Sequence, residues 1–123
     1  MDFFRANVGP ALSEVSMVKI IWQKRASKKL EEHIAYASAE FGVSTAKRWL
    51  EEVSHVEWRI ALMPLSYTPE PLLLGKKHVY RYCHIKNRRF KIIYCYFPSS
   101  KTVRISDIWD TRINPETLKR RIR

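Results

Sequence analysis

Between Ala26 and Met63 the apolar residues form two stripes at three- and four-residue steps, broken at Gly42 and ended at Pro64. That spacing gives each of two helices one apolar face. Ala26, Leu30, Ile34, Ala37 and Phe41 make the first stripe, with Ser27 as the expected N-cap and Gly42 as the left-handed terminator. Ser44 opens the second helix, striped by Ala46, Trp49, Leu50, Val53, Val56, Ile60 and Met63. Helices joined by so short a link must run antiparallel. Their common apolar side needs a sheet to cover.

The remaining sequence supplies that sheet. Val18–Gln23 is a short β-branched run, a first strand. Residues 64–78 hold three prolines and a glycine and read as a loop with an apolar knot at Leu72–Leu74. Val79–Ile85 and Phe90–Phe97 are strand-like runs separated by the charged turn Lys86-Asn87-Arg88-Arg89, and Val103–Asp110 follows a second turn. Asn114-Pro115-Glu116 starts a last helix with a capping Asn, Pro at the first helical position and an acid in the first turn. The order is β-α-α-β-β-β-α. It predicts a two-layer α+β fold, a helical hairpin packed on an antiparallel sheet whose opposite face stays open.

The 123 residues suit a single domain, expected over residues 17–123. Residues 1–16 read as an N-terminal extension, or as the product of an upstream start with Met17 the natural one. No apolar run approaches the roughly 20 residues of a membrane span, and residues 1–16 lack the pattern of a secretory signal. Cys83 and Cys95 are too few for a disulfide scaffold, so a cytoplasmic setting is expected. Glycine-rich phosphate loops, serine-nucleophile signatures and metal-ligand spacings are absent, so neither cofactor nor metal is expected.

The formal net charge is +11, and its distribution matters more than its total. Up to Met63 the balance is +1; from Pro64 onward it is +10. The first half reads as scaffold and the second as a working surface for a polyanion or an acidic protein. Arg81, Lys91 and Arg104 come one from each strand of the meander, Lys86, Arg88 and Arg89 from its first turn, and Arg112 from its exit. Lys119 and Arg120 follow in the last helix. Guanidinium groups suit phosphate, and Tyr82 among the interleaved aromatics is placed to stack on a base. His84, beside the basic turn, is the histidine best placed for acid–base work.

The element order, the proline after the second helix, and the segments Tyr80-Arg81, Arg89-Phe90-Lys91-Ile92-Ile93-Tyr94 and Asp110-Thr111-Arg112-Ile113-Asn114-Pro115 resemble the RelE/ParE toxin superfamily over residues 17–123. The resemblance implies a toxin of a bacterial type II toxin–antitoxin module, linked to growth inhibition and plasmid stabilisation and neutralised by a cognate antitoxin. The RelE branch implies a metal-independent, ribosome-dependent mRNA endoribonuclease, with Arg81, Lys91 and Arg112 in the catalytic positions and His84 as a stand-in acid or base. The ParE branch implies action on DNA gyrase without nuclease chemistry. Two departures favour the ParE branch. Phe90-Lys91 replaces the usual Tyr-Arg, and the C-terminal proton-transfer residue is missing among Thr111, Ile113 and Leu118. Ribosome-dependent cleavage is the alternative, and a plain nucleic-acid-binding module or a degraded toxin are further ones.

Overall fold

The computed structural model describes residues 18–122; the reading of 1–16 as an extension and of Met17 as a start lies outside them. Strand β1 (Lys19–Trp22) leads into helix α1 (Lys24–Phe41) and helix α2 (Val43–Leu62). Strands β2 (Tyr80–Ile85), β3 (Phe90–Phe97) and β4 (Thr102–Asp110) follow, and helix α3 (Pro115–Arg121) closes the order. This is the expected β-α-α-β-β-β-α arrangement in an α+β fold.

Gly42 does double duty in the hairpin. It ends α1 by donating its N–H to the Ser38 carbonyl and serves as the N-cap of α2, at a φ of 97° that favours glycine. Some local expectations shift. The N-cap of α1 is Gln23 and not Ser27, which lies buried inside the helix. Phe41 and Met63, expected in the stripes, are 66% and 64% exposed; Phe41 is the last residue of α1 and Met63 the C-cap of α2.

The sheet order is β1-β4-β3-β2. The β2–β3–β4 meander is antiparallel, whereas β1 joins β4 in parallel, Lys19 opposite Thr102 and Trp22 opposite Ile105. The helical hairpin leads the chain away from β1 before the meander begins, so the last meander strand takes the place beside it. A register shift at Ile93/Tyr94 sets Ile93 opposite Asp107 and Tyr94 opposite Ile105, leaving Ser106 as the extra residue. Such a bulge resets the alternation of faces. As a result Ile105 and Ile108 face the helices, while Asp107 and Trp109 face away.

Leu30, Val53, Ile60, Ile92, Tyr94 and Ile105 centre the core under the helices. The opposite face is not open as expected. A second core of Leu73, Tyr80, Ile93, Cys95, Trp109, Leu118 and Ile122 covers part of it. Leu118 and Ile122 stand four apart on one side of α3, and Leu73 comes from a 3-10 turn (Pro71–Leu73) in the long loop. The loop also shields the outer edge of β2: Glu70 and Tyr82 donate their N–H groups to the Tyr80 and Thr68 carbonyls. Among the described residues no helix is long and apolar enough to cross a membrane.

Candidate functional site

The three basic residues in the catalytic positions do not converge. Arg81 lies on the helix side of the sheet and donates from its guanidinium to the Tyr67 carbonyl at 2.6 Å. It shares that side with Tyr94, whose buried phenol donates to the Pro64 carbonyl and is pushed well above its ordinary pKa by burial. Tyr67, stacked edge-on against Tyr94, is pushed up to about 12, again first by burial.

Lys91 is on the other side. Its ammonium bonds both carboxylate oxygens of Glu70, at 3.0 and 2.8 Å, and sits 4.4 Å from the centre of the Tyr82 ring. The Glu70 side chain is 0% exposed and that of Lys91 15%, so this ion pair is almost dry. Glu70 also accepts the Leu72 N–H, which pins the 3-10 turn. His84 packs edge-on against Tyr82 and pairs across the strands with Lys91. Its pKa is lowered by partial burial first, then by the positive charges of Arg88 and Lys91, with Glu70 opposing. At neutral pH this imidazole is neutral and can accept a proton.

Arg112 belongs to a third place. Its side chain is 62% exposed and forks onto Asp110, with Nε at 3.2 Å from one carboxylate oxygen and a terminal nitrogen 3.0 Å from the other. The Arg112 backbone N–H bonds the same carboxylate, and these contacts hold Asp110 below the usual carboxylate pKa.

This third place is the mouth of a cleft of about 770 Å³ between the helical hairpin and the β2–β3 turn. His33 and Tyr36 come from α1, Thr45 and Trp49 from α2, and Phe90, Asp110 and Arg112 from the sheet end. His33 lies flat against Trp49 at 5.5 Å; Trp49 meets Phe90 edge-on, and His33 meets it at a tilt of 59°. Cations ring this aromatic floor. Lys86 is 5.4 Å from the Trp49 ring and Arg89 is 5.6 Å from Phe90. Tyr36, Phe41 and Val43 extend the apolar surface outward.

The turn that carries those cations is strained. Lys86, Asn87 and Arg88 take consecutive positive φ values of 53°, 54° and 69°. For side chains with a Cβ this costs energy that the surroundings must supply. Glu52 of α2 accepts the Lys86 N–H at 3.0 Å, and Thr111 bonds the Arg89 carbonyl through both its N–H and its hydroxyl. The turn is thus clamped from both sides, with the basic heads of Arg88 and Arg89 in solvent.

The other predicted contact residues lie elsewhere. Arg104 is at the far end of β4, 5.0 Å over the Phe97 ring. Lys119 pairs with Glu116 on the exposed part of α3, and Arg120 is exposed beside it. Lys86, Arg89 and Arg112 are therefore grouped at the cleft; Lys91, Tyr82 and His84 are grouped on the opposite face; Arg81 stands apart from both. Sequence reasoning missed the aromatic floor and Glu70. It also gave no sign that Asp110, two residues before Arg112, would hold that guanidinium. Among the described residues no three His, Cys, Asp or Glu side chains gather as a metal ion would need.

The structure is thus a two-layer α+β fold with this order, carrying an aromatic cleft ringed by cations. The comparisons give it a family. A family model described as ParE toxin of type II toxin-antitoxin system, parDE, matches residues 20–115, and the chain belongs to this family. A solved structure described as a chromosomal ParDE TA system from P. aeruginosa is 13% identical, with a TM-score of 0.61, covering 77% of this chain and 97% of that one. At that identity it shows the common fold. Comparison with curated proteins gave no match.

Proposed function

We propose that this protein is the toxin of a type II toxin–antitoxin module, acting in the cytoplasm on DNA gyrase through a protein contact and neutralised by a cognate antitoxin. One observation carries the gyrase reading over mRNA cleavage: the cations in the nuclease positions are separated and already paired. Arg81 is tied to a backbone carbonyl on one face of the sheet, Lys91 is ion-paired to Glu70 on the other, and Arg112 is forked onto Asp110. A phosphoryl transfer needs its charges aimed at one reacting phosphate. These are aimed at three different places.

The cleft suits a protein contact. Its aromatic floor offers the large, stiff side chains that anchor interfaces, and its cationic rim favours an acidic partner. An acidic or amphipathic antitoxin segment fits the same description, so target and antitoxin would compete for this surface. The test is a gyrase supercoiling assay with the purified chain, beside primer extension on mRNA from induced cells. Loss of supercoiling without site-specific cuts, reversed by the antitoxin, is the expected result. Intact supercoiling with cuts that vanish in an Arg81→Ala, Arg112→Ala double variant would establish the nuclease reading in its place.

A further inference from the structure

At the edge of the sheet away from the aromatic cleft, a second cavity of about 350 Å³ opens between the start of α1 and the end of α3. Four cations from three elements line it: Lys24 and Arg25 from α1, Arg104 from β4 and Arg121 from α3. Among the described residues the charge here is poorly compensated. Asp107 is the acid beside it, buried and held by Arg121 at 2.6 Å. The first turn of α1 carries no acidic residue, and no side chain caps it. Gathering four positive charges around one cavity costs energy unless an anion visits it.

The groups also have unused donors. Arg25 spends one terminal nitrogen on the Arg121 carbonyl, at 2.8 Å, which holds its guanidinium at the cavity. Arg104 is fixed between the Phe97 ring and the Tyr80 hydroxyl, which holds its guanidinium beside the cavity. Beside Arg104, Phe97 and His78 meet edge-on at 5.1 Å, both partly exposed.

We infer that this cavity binds a backbone phosphate of single-stranded nucleic acid, with Lys24, Arg25 and Arg104 on the phosphate and an adjoining base against His78 and Phe97. Forked guanidinium groups match the several oxygens of a phosphate, and an aromatic neighbour adds the stacking that a single strand allows and a duplex does not. Arg121, tied to Asp107, sets the electrostatic floor. The site is separate from the aromatic cleft and does not depend on gyrase being the target.

The experiment uses the full chain and a fluorescein-labelled single-stranded 12-mer, read by anisotropy across a salt series and by amide and Arg Nε–H chemical shifts. The expected result is binding that shifts Gln23–Ala26 and the Arg104 Nε–H, weakened about tenfold in a Lys24→Gln, Arg25→Gln variant. The slope of log affinity against log salt should fall by about 1.4 for two lost contacts, at about 0.7 per single-strand phosphate. Both substituted residues are exposed, so folding is not at stake, and unchanged far-UV circular dichroism verifies this. Four outcomes overturn the inference: an equal loss in the control variant Lys47→Gln, Arg48→Gln; oligoglutamate competing as well as the strand; a mononucleotide binding as tightly as the 12-mer; or a duplex of the same sequence binding more tightly.

Discussion

Replacing Lys91 by alanine separates a structural from a catalytic role for this residue. Glu70 has a fully buried side chain, and the Lys91 ammonium is its only ionic partner among the described residues. Removing one member of such a pair leaves a charge in a dry site, which costs about 3–5 kcal/mol. Against a total stability of about 5–15 kcal/mol for a small domain, that is about a fifth or more of the whole. For a chain of this size it corresponds to a fall in Tm of about 10–20 °C. The assay is urea and thermal denaturation followed by far-UV circular dichroism. A Glu70→Gln, Lys91→Met double variant removes both charges while keeping the acceptor for the Leu72 N–H, and it should recover at least about 2 kcal/mol of the loss. If the proposed inhibition of gyrase holds, that double variant should also keep it at a temperature where it is folded. A Lys91→Ala chain as stable as the parent, or a double variant as unstable as the single one, would refute this reasoning.

Three further predictions test other parts of the molecule. Burial first raises the Asp107 carboxyl above its ordinary pKa, with Arg121 and Arg25 working against the rise. Its contribution to stability is therefore full below the unfolded value and is lost as pH rises through the folded one, so Asp107→Asn should show a smaller gain than the parent when the pH is lowered from 7 toward 4 in urea melts. His84 has a lowered pKa, so its contribution is present above about 6.5 and lost as pH falls through the folded value; Arg88→Ala should move its NMR titration midpoint upward. Gly42→Ala meets no steric obstacle but must hold a φ of 97°, so it should cost about 1 kcal/mol in chemical denaturation.

The element order was readable because each segment carries its own period. The stripes of α1 and α2 and the runs of β3 and β4 are local patterns that burial then enforced. What the sequence could not disclose was pairing over distance. Nothing in Lys19–Trp22 says that its neighbour is Thr102–Ile105, nor that it runs parallel to it. The second core was hidden for a different reason. Leu118 and Ile122 have helical spacing, but they are embedded in a run of Lys and Arg that reads as a solvated tail, and their partner Leu73 lies in a proline-rich loop. The candidate sites were half visible. Every cation was in view, but a residue type does not reveal which carboxylate or carbonyl already holds it. Glu70 in the loop and Asp110 at the end of β4 decide the fates of Lys91 and Arg112.

The parallel docking of β1 on β4 bears on how the chain is made. Lys19 finds its partner Thr102 only after about eighty intervening residues have been synthesised. Until β4 leaves the ribosome, the helical hairpin lacks the completed sheet on which Leu30, Val53 and Ile60 are buried, and most helical stability in proteins comes from such packing of an apolar face. Contacts this distant in sequence form late and slowly. A nascent chain stopped before β4 is therefore without the finished cleft, whose Asp110 and Arg112 come from the end of β4 and just beyond it.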